Sequence, residues 1–434
     1  MKIQAYKGTR DFYPETMAVR NWLTDIWRRV SIRHGFEEYD GPIFEYLDLY
    51  TAKSGQGIVE ELFHFTDRGD RELAVRPEIT PTLARMVNAR ANTLPRPIKW
   101  FSVPRLCRAE KPQRGRLREF FQWNLDILGA DDLLADAECI LAAIDCLREV
   151  GLTADDVVVK INDRRFIGAI FHALAIPVDR HDAAYAAIDK AAKIPLEAVE
   201  EIWSAAIPTI PFNHIKPLLA IDSRQALAAS GWPVLTHAAV ADALATLDEL
   251  FAILQNFGVA DFCRFDARIV RGLAYYTGPV YEAFDRRQTL RAILGGGRYD
   301  NLLAILGGPK LSGTGMGMGD PVLLELLAER NKIPAFARAV DLFLIDADES
   351  LFPMILQVAA TLRAQGHSVE FNYKRQPVAR HFKAAAARGA GRCAVFGQET
   401  RSSRQVTVKD MNTGHQKEVP LDAFLADPNL DLTP

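Results

Sequence analysis

Residues 121–127 read Phe-Gln-Trp-Asn-Leu-Asp-Ile, apolar at 121, 123, 125 and 127 and polar at 122, 124 and 126. A strict period of two marks a β-strand, because successive side chains leave a strand on opposite faces. The chain therefore builds a sheet with one apolar and one polar face. Alternation by itself favours bulk water as the neighbour of Gln122, Asn124 and Asp126, since antiparallel sheets are often wet on one side. The sharper alternative is a small-molecule pocket lined by those amide and carboxylate groups.

Around this strand, helical spacing covers 17–34, and a β-rich stretch over 36–46 is broken at Gly41-Pro42. Asp67-Arg68-Gly69-Asp70 is a polar turn between apolar runs, which predicts a hairpin over 61–75. Thr80 before Pro81 reads as an N-cap and a first-turn proline, so a helix starts there and leaves Glu78 at the mouth of a strand–helix junction. Strand, basic loop and strand follow over 98–128, then a helix over 131–150 and a strand over 157–162. Between about 165 and 235, Ala, Ile and Leu recur at helical spacing among prolines, a small helical insertion. A helix over 239–257 returns the chain to strand-like 264–270. The weakly periodic stretch 331–340 then separates a first domain, 1–330, from regular α/β alternation over 341–434, a second domain large enough to fold as a unit.

Fifty-two basic and 55 acidic residues give a net charge of −3, which excludes a uniformly basic nucleic-acid coat. The five cysteines form no Cys-x-x-Cys pair, which predicts reduced thiols in a cytoplasm. No apolar run approaches the ~18 residues of a membrane helix, and the opening residues lack a signal peptide's apolar core. The nine histidines show no ligand spacing, so no protein-built metal site is expected.

Charge is concentrated locally. Six basic residues against two acidic ones lie between Arg105 and Glu119, and guanidinium pairs there suit a polyphosphate. Residues 361–404 hold nine Lys/Arg and two acids, a polarity that suits an anionic polymer. Gly313-Thr-Gly-Met-Gly-Met-Gly319 lacks the strand–turn–helix spacing of a dinucleotide fingerprint. Close packing of backbone against backbone, or against a flat ligand, explains it equally well.

Several stretches together resemble the histidyl-tRNA synthetase family of class II aminoacyl-tRNA synthetases. Lys7-Gly-Thr-Arg-Asp-Phe12 resembles the family's opening, and Gly35 to Tyr46 its motif 1 at the dimer interface. Cys107 to Gln122 resembles motif 2. Arg271 to Glu282 and Gly296-Gly-Arg-Tyr-Asp300 resemble the two histidine motifs, and 341–434 the anticodon-binding domain. The fold so implied is α+β: an antiparallel class II sheet flanked by helices, the helical insertion, and a C-terminal α/β anticodon-binding domain.

The resemblance implies a homodimeric histidine–tRNA ligase that uses ATP and Mg2+ and charges the 3′ end of tRNA(His). Glu78, Ile79 and Thr80 would serve the α-amino group of histidine, with Gln122 and Asp126 lining the same pocket. Tyr275, Tyr276 and Tyr299 would enclose the imidazole. Arg108 and Arg271 would act on the α-phosphate of ATP as the catalytic cations. Glu110 would approach adenine, Phe120 would stack on it, and Arg116 would reach the outer phosphates. Gln113 and Arg114 would meet the tRNA acceptor end.

This sequence departs from the family pattern twice. Ala274 stands where the first histidine motif usually has an acid, and Asp320 stands where motif 3 has its ATP-binding arginine. No basic residue lies between Lys310 and Arg330, so either another arginine binds the γ-phosphate end or the site activates histidine poorly. The competing expectations are a histidine-sensing regulatory paralogue of ATP phosphoribosyltransferase and a catalytically inactive, synthetase-like RNA-binding protein. The paralogue usually lacks an anticodon domain and erodes the motif 2 loop, and both are present in this sequence.

Overall fold

A computed structural model describes residues 3–54, 56–191, 194–271, 275–336 and 340–432. Ala274 lies outside the described residues. The chain divides into two compact units, Met1–Ile333 and Pro334–Pro434.

The first unit is built on a nine-stranded sheet. Its strands are β1 (Glu37–Glu38), β5 (Ile98–Ser102), β6 (Arg105–Cys107), β7 (Glu119–Leu128), β8 (Val157–Asp163), β9 (Cys263–Phe265), β10 (Pro279–Asp285), β11 (Leu294–Arg298) and β12 (Gly313–Gly319). They run in the order β1-β5-β7-β12-β11-β10-β8-β9, with β6 pairing beside β7. The interior is antiparallel, but the outermost pairs, β1–β5 and β8–β9, are parallel, so the sheet is mixed. A separate antiparallel sheet holds β2 (Phe44–Tyr46), β3 (His64–Thr66) and β4 (Glu72–Val75) in the order β2-β4-β3.

The apolar side of β7 packs as expected. Phe121, Trp123, Leu125 and Ile127 lie in one core with Trp27 and Val30 of the helix Pro14–Arg33 and with Cys139, Ala143 and Leu147 of the helix Leu133–Glu149. Trp123 stacks on Trp27 with ring centres 6.3 Å apart, and its indole donates to Ser31 Oγ at 2.8 Å. The helical insertion is present: helices Arg164–Ala173, His181–Lys190, Leu196–Ala206 and Arg224–Ala229, with 3-10 turns between the first and second and between the third and fourth.

As expected, Gly41-Pro42 breaks the stretch 36–46, and β1 and β2 go to different sheets. Two local expectations are corrected. Thr80 is the first helical residue of Thr80–Ala89, not its cap; Ile79 precedes it and no side chain caps the end. Only Cys263–Phe265 of the strand-like run 264–270 pairs in the sheet. Beyond it Asp266 folds a turn, its carbonyl accepting from Ile269 N at 3.1 Å.

The second unit has a five-stranded sheet: β13 (Leu342–Asp346), β14 (Val369–Phe371), β15 (Arg392–Phe396), β16 (Gln405–Asp410) and β17 (Gln416–Pro420). The order is β14-β13-β15-β16-β17; the first three strands are parallel and the last two close an antiparallel hairpin. Helices Phe352–Ala364 and Val378–Ala387 supply the crossovers, and Leu342, Leu344, Ile355, Val358, Phe396 and Val408 form part of its core.

Candidate active site

The polar side of β7 does not face water. Asn124 and Asp126 are buried, and with Gln122 they line a cavity of about 260 Å³. The reason lies in β12, which pairs along β7 with Gly315 opposite Asp126, Gly317 opposite Asn124 and Gly319 opposite Gln122. Directly opposed residues share a face, so three glycines leave room above the three polar side chains. A Cβ at Gly317 would come within 2.9 Å of the Gln122 amide, and one at Gly315 would strike the Asp126 carboxylate. On β11, a Cβ at Gly295 would collide with the Arg271 guanidinium. Both glycine-rich runs thus clear a flat floor for a ligand.

Three phenols stand beside this floor. Tyr275 and Tyr276 have ring centres 4.7 Å apart, and Tyr275 meets Tyr299 edge-on at 6.1 Å. Tyr299 donates its hydroxyl to Asp126 Oδ1. Burial pushes the Tyr299 phenol well above its usual range, and the Asp126 charge adds to the shift. The flanking residues hold these rings in place. Arg298 is buried and donates to Asp136 Oδ2 through Nε at 2.9 Å, and Thr277 Oγ1 donates to Asp300 Oδ2 at 2.6 Å. Thr277 N also donates to Arg298 O at 2.8 Å, so Thr277 stitches the two histidine motifs together on either side of Tyr299.

Two arginines enter the cavity from separate segments. Arg108, just beyond β6, donates through Nε to Pro77 O at 3.1 Å and lies 5.0 Å from the centre of the Phe120 ring. Burial lowers its pKa, opposed by the charges of Glu78 and Glu61. Arg271 has a left-handed backbone, φ +49°, which is uncommon for a residue with a side chain. Its Nη1 lies 3.1 Å from Glu282 Oε1, and its charge reaches Arg108. A strained residue aimed into a cleft points to a functional constraint.

Of the residues singled out from the sequence, Glu78, Thr80, Arg108, Arg116, Phe120, Gln122, Asp126, Arg271, Tyr275, Tyr276 and Tyr299 line this cavity. Four do not. The Ile79 side chain is wholly buried in a core with Leu83 and Val280. Glu110 is paired with Arg116. Arg114 is tied to Glu325 and, at 2.7 Å, to Glu329, and Gln113 Oε1 accepts from Arg291 Nη1 at 2.9 Å. The cavity also includes Asn124, Glu282 and Arg291. The alternation signalled Asn124; no sequence pattern signalled Arg291.

Asp320 faces away from the cavity. Its carboxylate accepts from Phe121 N at 2.9 Å and from Arg10 Nη2 at 2.7 Å, while Gly319 and Pro321 on either side line the cavity. Burial raises its pKa, and Arg10 partly offsets this.

A mixed sheet carrying a motif 2-like basic loop over a glycine-cleared floor is the catalytic core of a class II aminoacyl-tRNA synthetase. The fold agrees with a histidyl-tRNA synthetase from Nostoc sp. PCC 7120 at a TM-score of 0.79, with 24% identity and 98% of each chain covered. Residues 8–319 match the histidyl-tRNA synthetase family and residues 340–426 the anticodon-binding domain. The chain is 39% identical to the histidine–tRNA ligase of Opitutus terrae, over 96% of each. It is 37% identical to the chloroplastic/mitochondrial histidine–tRNA ligase of Arabidopsis thaliana, over 96% of this chain and 84% of that one. The chain belongs to the histidyl-tRNA synthetase family.

Proposed function

We infer that the chain is a histidine–tRNA ligase, which joins the histidine carboxylate to the α-phosphorus of ATP with release of pyrophosphate and passes the histidyl group to the 3′ end of tRNA(His) with release of AMP. One observation carries the reading: Arg108 and Arg271 line the same cavity as the phenol cluster and the Tyr299–Asp126 pair. Histidine lies with its imidazole among Tyr275, Tyr276 and Tyr299. The hydrogen-bonding groups there would be left unpaired by an apolar isostere, which is what discriminates against it. Glu78, Thr80, Gln122 and Asp126 take up the amino-group side.

Attack of the histidine carboxylate on the α-phosphorus brings two anions together. Arg108 and Arg271 supply preorganised positive charge from two segments, which holds the reactants in line and stabilises the charge that develops. Phe120 offers a face to adenine, and Arg116 reaches the outer phosphates. Mg2+ supplies further neutralisation of those phosphates when bound.

The second unit serves tRNA. Lys374, Arg380 and Lys383 are exposed, and Tyr373 is 93% exposed beside a cavity lined by Phe371, Asn372 and Arg388. Cationic side chains with an accessible aromatic ring suit unstacked RNA bases. A homodimer is favoured by the three-stranded sheet, where Ile43, Phe44, Tyr46 and Phe65 are exposed and Phe44 meets Phe65 edge-on at 5.4 Å. A cytoplasmic location accords with five free cysteines, and among the described residues no helix is long and apolar enough to cross a membrane. Histidine-dependent exchange of pyrophosphate into ATP, followed by charging of tRNA(His), tests the reading. Histidine binding without exchange would replace the ligase with the regulatory paralogue.

A further inference from the structure

The position that should carry an ATP-binding arginine carries Asp320, locked to Arg10 and Phe121 N on the far side of β12. Arg10 does not line the cavity, and from Lys310 to Arg330 the sequence offers no other cation. The cavity nevertheless has a second pair of arginines. Arg291, on the segment entering β11, and Arg116, on the motif 2-like loop, both line it beside Gly115, Pro321 and Val322. Arg116 feels the positive charge of both Arg291 and Arg108, so the three cations share one field.

The local packing explains how Arg291 reaches this place. Gly115 takes a left-handed backbone, φ +69°, and a Cβ there would lie 3.0 Å from Val322 and 3.9 Å from Arg291 Cδ. The loop tip therefore lies down on the helix Asp320–Glu329, where Glu325 and Glu329 hold Arg114. The stem of Arg291 passes along the loop, and among the described residues its guanidinium is held only by the neutral amide of Gln113, at 2.9 Å. A side-chain amide is a weak partner for an exposed guanidinium, so an anion of matching geometry displaces it readily.

We propose that Arg291 grips the outer phosphates of ATP together with Arg116, taking over the task of the missing motif 3 arginine, with Gln113 parking it while the site is empty. This rests on the ligase reading. It resolves the alternatives left open by Asp320 in favour of an active enzyme whose phosphate cation comes from another segment.

The test compares Arg291→Ala and Arg291→Lys with the unmodified chain. The readouts are histidine-dependent exchange, the KM for ATP and for pyrophosphate, and direct binding of ATP and of AMP by calorimetry. AMP lacks the outer phosphates and serves as the internal control. Arg291→Ala should raise both KM values about tenfold or more, the scale of one lost charged contact. AMP affinity should stay within about twofold, and Arg291→Lys should recover only part, since lysine lacks the planar fork. Unchanged ATP and pyrophosphate KM values in Arg291→Ala, or an equal loss of AMP binding, would overturn the assignment. If the unmodified chain showed no exchange, the ligase reading would fall, and the ATP-versus-AMP binding comparison would still decide the role of Arg291.

Discussion

Tyr299, just beyond β11, donates its hydroxyl to Asp126 on β7, across the intervening strand β12. The bond joins the second histidine motif to the polar face of the central strand, and both partners are buried. Tyr299→Phe keeps the ring and removes the donor, leaving Asp126 short of a partner beside the proposed imidazole pocket. The expected cost is about 1–3 kcal/mol, read as roughly a tenfold or greater rise in the KM for histidine. The KM for ATP should move little. Steady-state exchange kinetics with each substrate varied in turn checks this, and equal changes in both KM values would mean that the pair holds the fold instead.

Arg271 should separate binding from chemistry. Arg271→Ala removes the cation proposed to act on charge developing at phosphorus, so adenylate formation should fall about 10²–10³-fold while histidine binding survives. Gly295→Ala is the companion test, because its Cβ would occupy the space of the Arg271 guanidinium without touching the arginine chemically. Pre-steady-state adenylate formation with calorimetric histidine binding reads both. A Gly295→Ala enzyme of normal rate would show that Arg271 has a second workable position.

Much of the fold was readable because its elements carry periodic signals. Phe121, Trp123, Leu125 and Ile127 mark β7 by alternation, and the C-terminal unit follows its α/β rhythm to within a few residues. Alternation alone favoured solvent beside Gln122, Asn124 and Asp126, and only the family resemblance put Gln122 and Asp126 in a pocket, for a definite reason. Alternation tells which residues share a face, not what covers that face. The cover here comes from β12 and its neighbours, nearly two hundred residues away in sequence, and β12 itself is written in glycine with little hydrophobic pattern. Arg291 was missed for a related reason: an arginine in a short connection has no period, and only the closing of the motif 2-like loop onto the helix Asp320–Glu329 brings it to the cavity. The individual roles of the tyrosines and arginines came from family resemblance, since chemistry alone assigns residue types and not partners.

The two units predict a division between activities. Each has its own core, so a chain ending at Ile333 should keep histidine-dependent exchange within a few-fold. Charging of tRNA(His) should fall by at least about tenfold, because the phosphate and base contacts proposed for the second unit would be lost. Salt titration of tRNA binding supplies a second readout: the full-length chain should show the steeper dependence. Equal loss of exchange and charging would assign the second unit a structural role.

Asp266 sets the turn that leads to Arg271, and its carboxylate gives that turn a predictable pH response. It is 1% exposed, with Lys160 Nζ at 3.0 Å and Arg268 Nη2 at 2.7 Å. Burial acts to raise its pKa, but the hydrogen bond from Arg268 and the charge of Lys160 outweigh it and hold the carboxyl below its ordinary value of 3.8. A folded-state pKa below the unfolded one means that the carboxylate stabilises the fold above the unfolded value, and that this contribution fades as pH falls through the folded value. Asp266→Asn should therefore cost about 1–3 kcal/mol near neutral pH. The gap from the unmodified chain should narrow once the pH is taken below about 4. Because the Asp266 carbonyl also accepts from Ile269 N, loosening this turn should slow adenylate formation by way of Arg271. Denaturant unfolding at pH 7 and pH 3, with exchange rates at neutral pH, measures both effects; a gap of equal size at the two pH values would remove the carboxylate charge as its source.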